Sequence, residues 1–107
     1  MKVYAVAELD ITDSSWVSEY VRDVTPMVER HGGRYLARTA KVDQLEGERA
    51  LPQVLLIVEW PSRDAAETFY RSEEYKPYLE KRLRGARNEM RLVAGEDMTG
   101  AARIDSD

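Results

Sequence analysis

The chain has 107 residues and a formal net charge of -4, with 43% hydrophobic and 34% charged residues. This length fits one domain, and the composition argues against disorder. The acidic surplus argues against nucleic-acid binding, and the absence of cysteine excludes disulfides, thiolate nucleophiles and iron–sulfur clusters. The apolar start is too short for a signal peptide and no run is long enough to span a membrane, so we expect a cytoplasmic protein.

The first predicted element is a strand at the N-terminus. Residues 2–9 alternate in polarity. This pattern predicts that one face carries Val3, Ala5, Ala7 and Leu9, and that the opposite face carries Tyr4, Val6 and Glu8.

A helix is the second predicted element. Thr12 and Asp13 are candidate N-caps, and apolar residues from Trp16 to Val28 recur at spacings of three and four. Pro26 lies inside this stripe and predicts a kink or a break near residues 24–25. The pair Gly32-Gly33 ends the helix and leads into a second strand over about 34–42.

The second half of the chain predicts two more strands around a helical region. Residues 43–53 form a loop, and the uniformly apolar segment 54–58 is a strand buried on both faces. Ser62 caps a short helix, and a second helical stretch begins at Ser72, where Pro77 delays its start. A last strand covers 90–94. We therefore expect one domain over residues 1–95 and a flexible acidic tail over 96–107.

The resulting order βαββαβ predicts an α+β, ferredoxin-like fold, a four-stranded antiparallel sheet with helices on one face. Strands 1 and 3 carry apolar residues on both sides, including Val6, Leu55 and Ile57. Two helices cover only one face, so a second copy of the chain is the expected cover for the other, in a face-to-face homodimer.

Several short motifs together resemble the family called domain of unknown function 1330, in the superfamily of dimeric α/β barrels. They cover roughly residues 1 to 95 and comprise Asp10-Ile11-Thr12-Asp13, His31-Gly32-Gly33-Arg34-Tyr35-Leu36-Ala37-Arg38, Leu45-Glu46-Gly47, Val58-Glu59-Trp60-Pro61-Ser62, Ala65-Ala66, Phe69-Tyr70, Ser72 to Tyr75, and Arg82. The resemblance implies a ferredoxin-like fold and a dimer whose sheets form a barrel, and it implies no settled activity. Superfamily relatives include cofactor-free monooxygenases, isomerases and haem enzymes, an analogy that concerns fold more than function.

Strand parity groups polar residues on one predicted face. If Arg38 and Glu59 share the face of Tyr4, they form an amphipathic site for a small polar ligand. Arg38 would orient an anion, and Glu59 or the loop residue Glu46 would act as a base. The alternative is that Arg38 and Glu59 form a structural ion pair inside the dimer.

The single histidine, His31, can act as a general base or as an axial haem ligand, but a helix-end cation beside Gly32-Gly33 is the favoured interpretation. One histidine without cysteine builds no common zinc site, and we expect neither a metal nor a cofactor.

Tyr75 and Arg82 are seven residues apart, so they project from one helix face and can hold a carboxylate or an enolate. The alternative is that Tyr70 and Tyr75 pack on the sheet while Arg82 pairs with an acid such as Glu46 or Glu59. Trp60 is either a ligand contact or a core or dimer-rim aromatic residue.

We therefore expect a homodimer that binds a small carboxylate or phenolic compound, with Tyr4, Tyr75, Arg82 and Trp60 as ligand contacts. Such a site would suit a cofactor-independent enzyme for isomerisation, proton transfer or oxygenation. The alternative is a non-catalytic binding, sensing or structural dimer, which predicts Arg38 paired with Glu59 and no open cavity. Neither interpretation requires nucleic acid or membrane.

Overall fold

A computed structural model describes residues 1–104. Its elements in chain order are β1 (Val3–Ile11), a short 3₁₀ helix (Ser14–Trp16), α1 (Val17–Arg30), β2 (Arg34–Thr39), β3 (Val54–Trp60), α2 (Arg63–Tyr70), α3 (Lys76–Gly85) and β4 (Ala86–Ala94). The four strands form one antiparallel sheet in the order β2-β3-β1-β4. The predicted ferredoxin-like α+β fold is confirmed.

The alternation predicted for β1 is also confirmed. Val3, Ala5, Ala7 and Leu9 are buried beneath the helices, whereas Tyr4, Val6 and Glu8 are half-buried on the opposite face. We call these the helix-covered face and the open face of the sheet. On the helix-covered face, the core continues into Val58 and Trp60 of β3 and into Val24, Met27 and Val28 of α1.

Of the kink or break predicted near residues 24–25, the break is absent, because α1 runs without interruption from Val17 to Arg30. A proline removes one helix hydrogen bond, the one that would reach the carbonyl of residue 22. Pro26 and Arg22 are both exposed, so water can serve that carbonyl. Burial of the apolar stripe then holds the helix together through the proline.

The end of α1 follows from its two glycines. Gly32 has φ +94°, and the Gly33 N–H donates to the Val28 carbonyl at 2.9 Å while the Gly32 N–H donates to the Glu29 carbonyl at 3.1 Å. This is a Schellman cap. A Cβ on Gly33 would lie 2.5 Å from Val28 Cγ1 and 3.0 Å from the Trp60 ring, so the chain must be glycine where α1 turns into β2.

Strand β2 is shorter than predicted and contains a bulge. It ends at Thr39 instead of residue 42, and its pairing with β3 shifts between Tyr35 and Ala37. The inserted residue, Leu36, reverses the side-chain parity of everything after it. As a result Arg38 lies opposite Leu56, on the helix-covered face.

The second helical region follows the expected caps. The Ser62 hydroxyl accepts from the Ala65 N–H at 3.1 Å, and Pro77 stands in the first turn of α3, which begins only at Lys76. β4 begins at Ala86, four residues before the predicted start. Beyond β4, Asp97 accepts from Thr99 and from the Ala102 N–H. The tail predicted over 96–107 includes residues 105–107, which lie outside the described residues.

Candidate functional site

A cavity of about 610 Å³ lies between the helix-covered face of the sheet and the three helices. This volume falls within the range typical of small-molecule sites. Its walls are mostly apolar and come from strands and helices alike, including Ala5, Leu9, Val24, Leu56, Phe69 and Leu92. Ala5, which faces the cavity from β1, contributes to this space because its side chain is small.

Three polar side chains meet at the buried part of this cavity. The Tyr20 and Tyr75 hydroxyls are 2.6 Å apart, and Arg82 Nη2 donates to Tyr75 Oη at 3.4 Å. Arg82 Nη1 donates to the Asn88 side-chain oxygen, and Asn88 Nδ2 in turn donates to the Ala86 carbonyl at 2.8 Å. All of these except Asn88 and Ala86 line the cavity. We call Tyr20, Tyr75, Arg82 and Asn88 the polar cluster.

Each member of the polar cluster is placed by a different element. Tyr20 lies on the apolar stripe of α1, and Tyr75 caps the N-terminus of α3. Arg82 stands near the end of α3, and Asn88 lies at the start of β4, opposite Leu9 on the helix-covered face. The predicted proximity of Tyr75 and Arg82 is confirmed.

The charge of Arg82 has no counter-charge in the part of the chain that is described. Arg82 is 2% exposed, and its Nε is buried without a hydrogen-bond partner. Within residues 1–104, its guanidinium forms no salt bridge. The expected pairing of Arg82 with Glu46 or Glu59 is therefore wrong. Buried charges are normally paired, so a solitary one needs a physical reason.

The polar cluster has spare donors and few spare acceptors. Tyr75 Oη accepts from Arg82, and one of the two tyrosines donates to the other. Whichever tyrosine donates, one hydroxyl proton of the pair has no acceptor among the described residues. Together with Arg82 Nε, at least two donors remain, which suits a ligand oxygen with several lone pairs.

Protonation at neutral pH follows from the surroundings of these groups. Burial, followed by repulsion from Tyr75, raises the pKa of Tyr20 far above its ordinary value. Burial acts to lower the pKa of Arg82, but the neighbouring Tyr75 and Tyr20 oxygens outweigh it and the pKa rises. Tyr20 is thus neutral and Arg82 is charged.

Arg38 stands at the exposed side of the same cavity. Its guanidinium carbon lies 4.4 Å from the centre of the Tyr35 ring, and its Nη1 donates to Thr25 Oγ1 at 2.9 Å. The side chain is exposed but held by these two contacts. Arg38 lines the cavity, as a ligand-orienting residue would, although on the opposite face of the sheet from the one predicted.

Glu59 and Tyr4 lie on the open face, away from the cavity. They are neighbours across β1 and β3, and Glu59 forms an ion pair with Lys2 at 3.6 Å. The predicted grouping of Arg38 with Glu59 on one face is wrong, and so is an ion pair between them within one subunit. The cause is the bulge at Leu36, which no local sequence signal indicates.

Glu46 is also remote from the polar cluster. It is exposed in the segment between β2 and β3 and borders a shallow hollow formed mainly by that segment and Glu8. If Glu46 acts as a base, as the sequence predicts, it therefore acts at a place remote from Arg82.

His31 is the C-cap of α1. Its Nδ1 donates to the Met27 carbonyl at 2.9 Å, its ring packs edge-on against Phe69, and Glu74 lies 3.7 Å away. This placement fits the helix-end interpretation.

Trp60 is 3% exposed and stacks on Phe69, with a distance of 5.4 Å between the ring centres. It therefore belongs to the core, where it also borders the cavity.

Two members of the polar cluster are not predicted from the sequence. Tyr20 lies within the apolar stripe from Trp16 to Val28 and is predicted only as part of it, although a buried hydroxyl usually requires a partner. Asn88 fell outside the predicted strand, although it continues the alternation of Met90 and Leu92. Either signal could have been read from the sequence.

Two further features of residues 1–104 bear on the site. These residues contain no group of three or more histidine, aspartate or glutamate side chains placed to hold a metal ion. None of their helices has both the length and the hydrophobicity needed to cross a membrane.

Residues 2–96 match the model of the family described as domain of unknown function (DUF1330), and the chain belongs to this family. No curated protein matches it. Among solved structures, it is similar to RPA0582, a protein of unknown function from Rhodopseudomonas palustris, with 18% identity, a TM-score of 0.72, and coverage of 86% of this chain and 80% of that one. It is also similar to SnoaB, a cofactor-independent oxygenase from Streptomyces nogalater, with 12% identity, a TM-score of 0.65, and coverage of 90% and 94%. At these identities the likeness concerns the fold.

Proposed function

We propose that this DUF1330 protein binds a small organic anion, a carboxylate or a phenolate, in the cavity beneath its helices. The observation that carries the proposal is the buried guanidinium of Arg82, which borders an apolar cavity and has no counter-charge within residues 1–104. An anionic oxygen there would supply the missing counter-charge, and it would accept from Arg82 Nε once a small side-chain shift exposes this buried atom. The apolar walls would hold the hydrocarbon part of the ligand.

The donor count supports an anion over an amine or an alcohol. The polar cluster offers Arg82 Nε and one tyrosine proton to a ligand, and both need an acceptor. An ammonium group brings only donors and a positive charge, so it would be repelled by Arg82. A carboxylate or a phenolate has lone pairs for both donors.

The same cluster suits a cofactor-independent reaction. A guanidinium next to a hydroxyl pair can stabilise negative charge that develops on an enolate or phenolate oxygen, and the pair can pass a proton to it. SnoaB, which shares the fold, is a cofactor-independent oxygenase. A non-catalytic binding or sensing role is the alternative. The open cavity, and the separation of Arg38 from Glu59, count against the structural version of that alternative.

The protein acts as a homodimer through its open face in this proposal. Val6 and Ile57 are partners across β1 and β3, Leu55 and Val93 extend the apolar surface, and no helix covers them. A second copy with the same surface would cover them by two-fold symmetry.

The experiment is a titration with benzoate, benzamide and benzylamine, followed by tryptophan emission and by calorimetry. Trp16 and Trp60 both border the cavity, so occupancy alters their emission. We expect benzoate to bind more tightly than the neutral and cationic compounds. The variant Arg82→Met should lose this preference, whereas Arg71→Met, which changes an exposed arginine bordering the same cavity, should keep it. Equal binding of all three compounds, or normal benzoate binding by Arg82→Met, would refute the proposal.

A further inference from the structure

We propose that the cavity ligand is elongated and carries two acidic groups, one bound by Arg82 and the other by Arg38. This inference rests on the proposed function, because it adds a second anchor to the same cavity. The first observation is the charge of the cavity wall. The whole chain has a net charge of -4, yet the charged residues that border the cavity are Arg38, Arg71, Arg82, Arg91 and a single acid, Glu67.

The single acid does not neutralise this positive wall. Glu67 accepts from Arg63 Nε at 3.1 Å, one turn away on α2. Arg38 forms no salt bridge with any residue in the described range 1–104, and neither does Arg82. Arg71 and Arg91 form none there either, so the described part of the chain neutralises none of the four arginines that border the cavity, although the whole chain is acidic.

Arg38 differs from Arg71 and Arg91, the other exposed arginines that border the cavity, because among the described residues only Arg38 of the three is held by side-chain contacts. Its guanidinium packs over the Tyr35 ring, and its Nη1 donates a hydrogen bond to Thr25 Oγ1. Thr25 is itself tied to α1, because its hydroxyl donates to the Val21 carbonyl at 2.6 Å. An arginine whose side chain is already ordered loses less conformational entropy on binding an anion.

The two arginines lie toward opposite edges of the sheet. Arg38 is on β2 and exposed, whereas Arg82 is buried and bonded to Asn88 on β4. β2 and β4 are the two edges of the sheet, three strand spacings or about 14 Å apart in backbone position. Between them the cavity wall is apolar, with Leu56 and Ala5 on the central strands. This arrangement fits a molecule with a hydrocarbon middle and an acidic group at each end.

The test compares dicarboxylates with monocarboxylates of equal chain length, from succinate to dodecanedioate, by calorimetric titration of the full chain. For wild type, affinity for the diacids should peak at an intermediate length and exceed that of the matching monoacid by about tenfold. Arg38→Met should bring this ratio close to one, because it should weaken diacid binding about tenfold more than binding of the matching monoacid. The control Arg71→Met should keep the ratio.

The outcomes separate this inference from the proposed function. If diacids bind no tighter than monoacids at every length, while both depend on Arg82, the second anchor is refuted and the proposed function stands. If Arg38→Met weakens both classes equally, the second anchor is likewise refuted. If neither class binds wild type, the proposed function fails and the inference fails with it.

Discussion

The two faces of the sheet differ in whether a buried or half-buried charged side chain has a partner of opposite charge. On the open face, Glu59 is half-buried, forms an ion pair with Lys2 and lies opposite Arg34 across β2 and β3. On the helix-covered face, Arg82 is almost fully buried and has no carboxylate partner within residues 1–104. The first arrangement is complete within one chain. The second lacks a counter-charge.

We take this difference to mean that the Lys2–Glu59 ion pair supports the structure, whereas the charge of Arg82 serves the proposed ligand. A half-buried ion pair such as Lys2–Glu59 needs nothing further, and its contribution to stability is modest. A buried guanidinium without a counter-charge lowers stability until something anionic binds. The position of Arg82 within the polar cluster, and not the number of charged residues, is therefore our basis for proposing that a ligand binds on the helix-covered face.

Removing the Arg82 charge tests this contrast with the largest expected effect. Arg82→Met should weaken benzoate binding by about 100-fold, because it removes a desolvated charge-assisted contact. Its free energy of unfolding without ligand should stay within about 1 kcal/mol of wild type or exceed it, because removing a buried charge that has no counter-charge offsets the loss of the hydrogen bonds to Asn88 and Tyr75. Calorimetric titration and urea denaturation measure the two effects. A loss of several kcal/mol in stability would mean that Arg82 has a structural role instead.

An acidic substitution on the open face should dissociate the expected dimer without changing the cavity. Ile57→Asp would bury a carboxylate at the expected dimer interface, at a cost of about 2 kcal/mol or more. Analytical ultracentrifugation should show wild-type dimers and Ile57→Asp monomers. Leu83→Asp, which changes an exposed leucine of α3, is the matched control and should remain dimeric. Wild type that sediments as a monomer at all concentrations would contradict the dimer.

The buried tyrosine pair predicts a smaller effect, at alkaline pH. Burial raises the pKa of Tyr20 in the folded state above its value in the unfolded chain, where it is near 10. Its contribution to stability is therefore present below about pH 10 and is lost as the pH rises further, at about 1.4 kcal/mol per pH unit for one proton. Urea denaturation between neutral and alkaline pH should show a shallower decline for Tyr20→Phe than for wild type. Identical slopes would mean that Tyr20 is not protected from ionisation by the fold.

Most of the fold could be predicted from local patterns. The alternation of β1, the apolar stripe of α1, the glycine pair and the Ser62 cap depend on nearby residues, and each is confirmed. The break at Pro26 was predicted wrongly because the exposure of the proline depends on the packing of the whole helix. Cytoplasmic location stays a prediction.

The site was only partly predictable. Tyr75 and Arg82 lie on one short segment, so their spacing sufficed to bring them together. Tyr20 comes from α1 and Asn88 from β4. Their contact with Arg82 and Tyr75 depends on how these elements pack together, which local sequence patterns do not show. Arg38 was assigned to the wrong face because one inserted residue in β2 reverses parity. The catalytic roles suggested for Glu46, Glu59 and His31 remain predictions, and each of these residues lies away from the polar cluster.

A crystal structure of the protein soaked with para-bromobenzoate tests the central claim most directly, because the bromine locates the ring independently of the carboxylate. The account predicts the ring between the helices and the sheet, with a carboxylate oxygen accepting from Arg82 Nε and from one hydroxyl of the Tyr20–Tyr75 pair. A carboxylate bound elsewhere while Arg82 Nε stays without an anionic partner would contradict it.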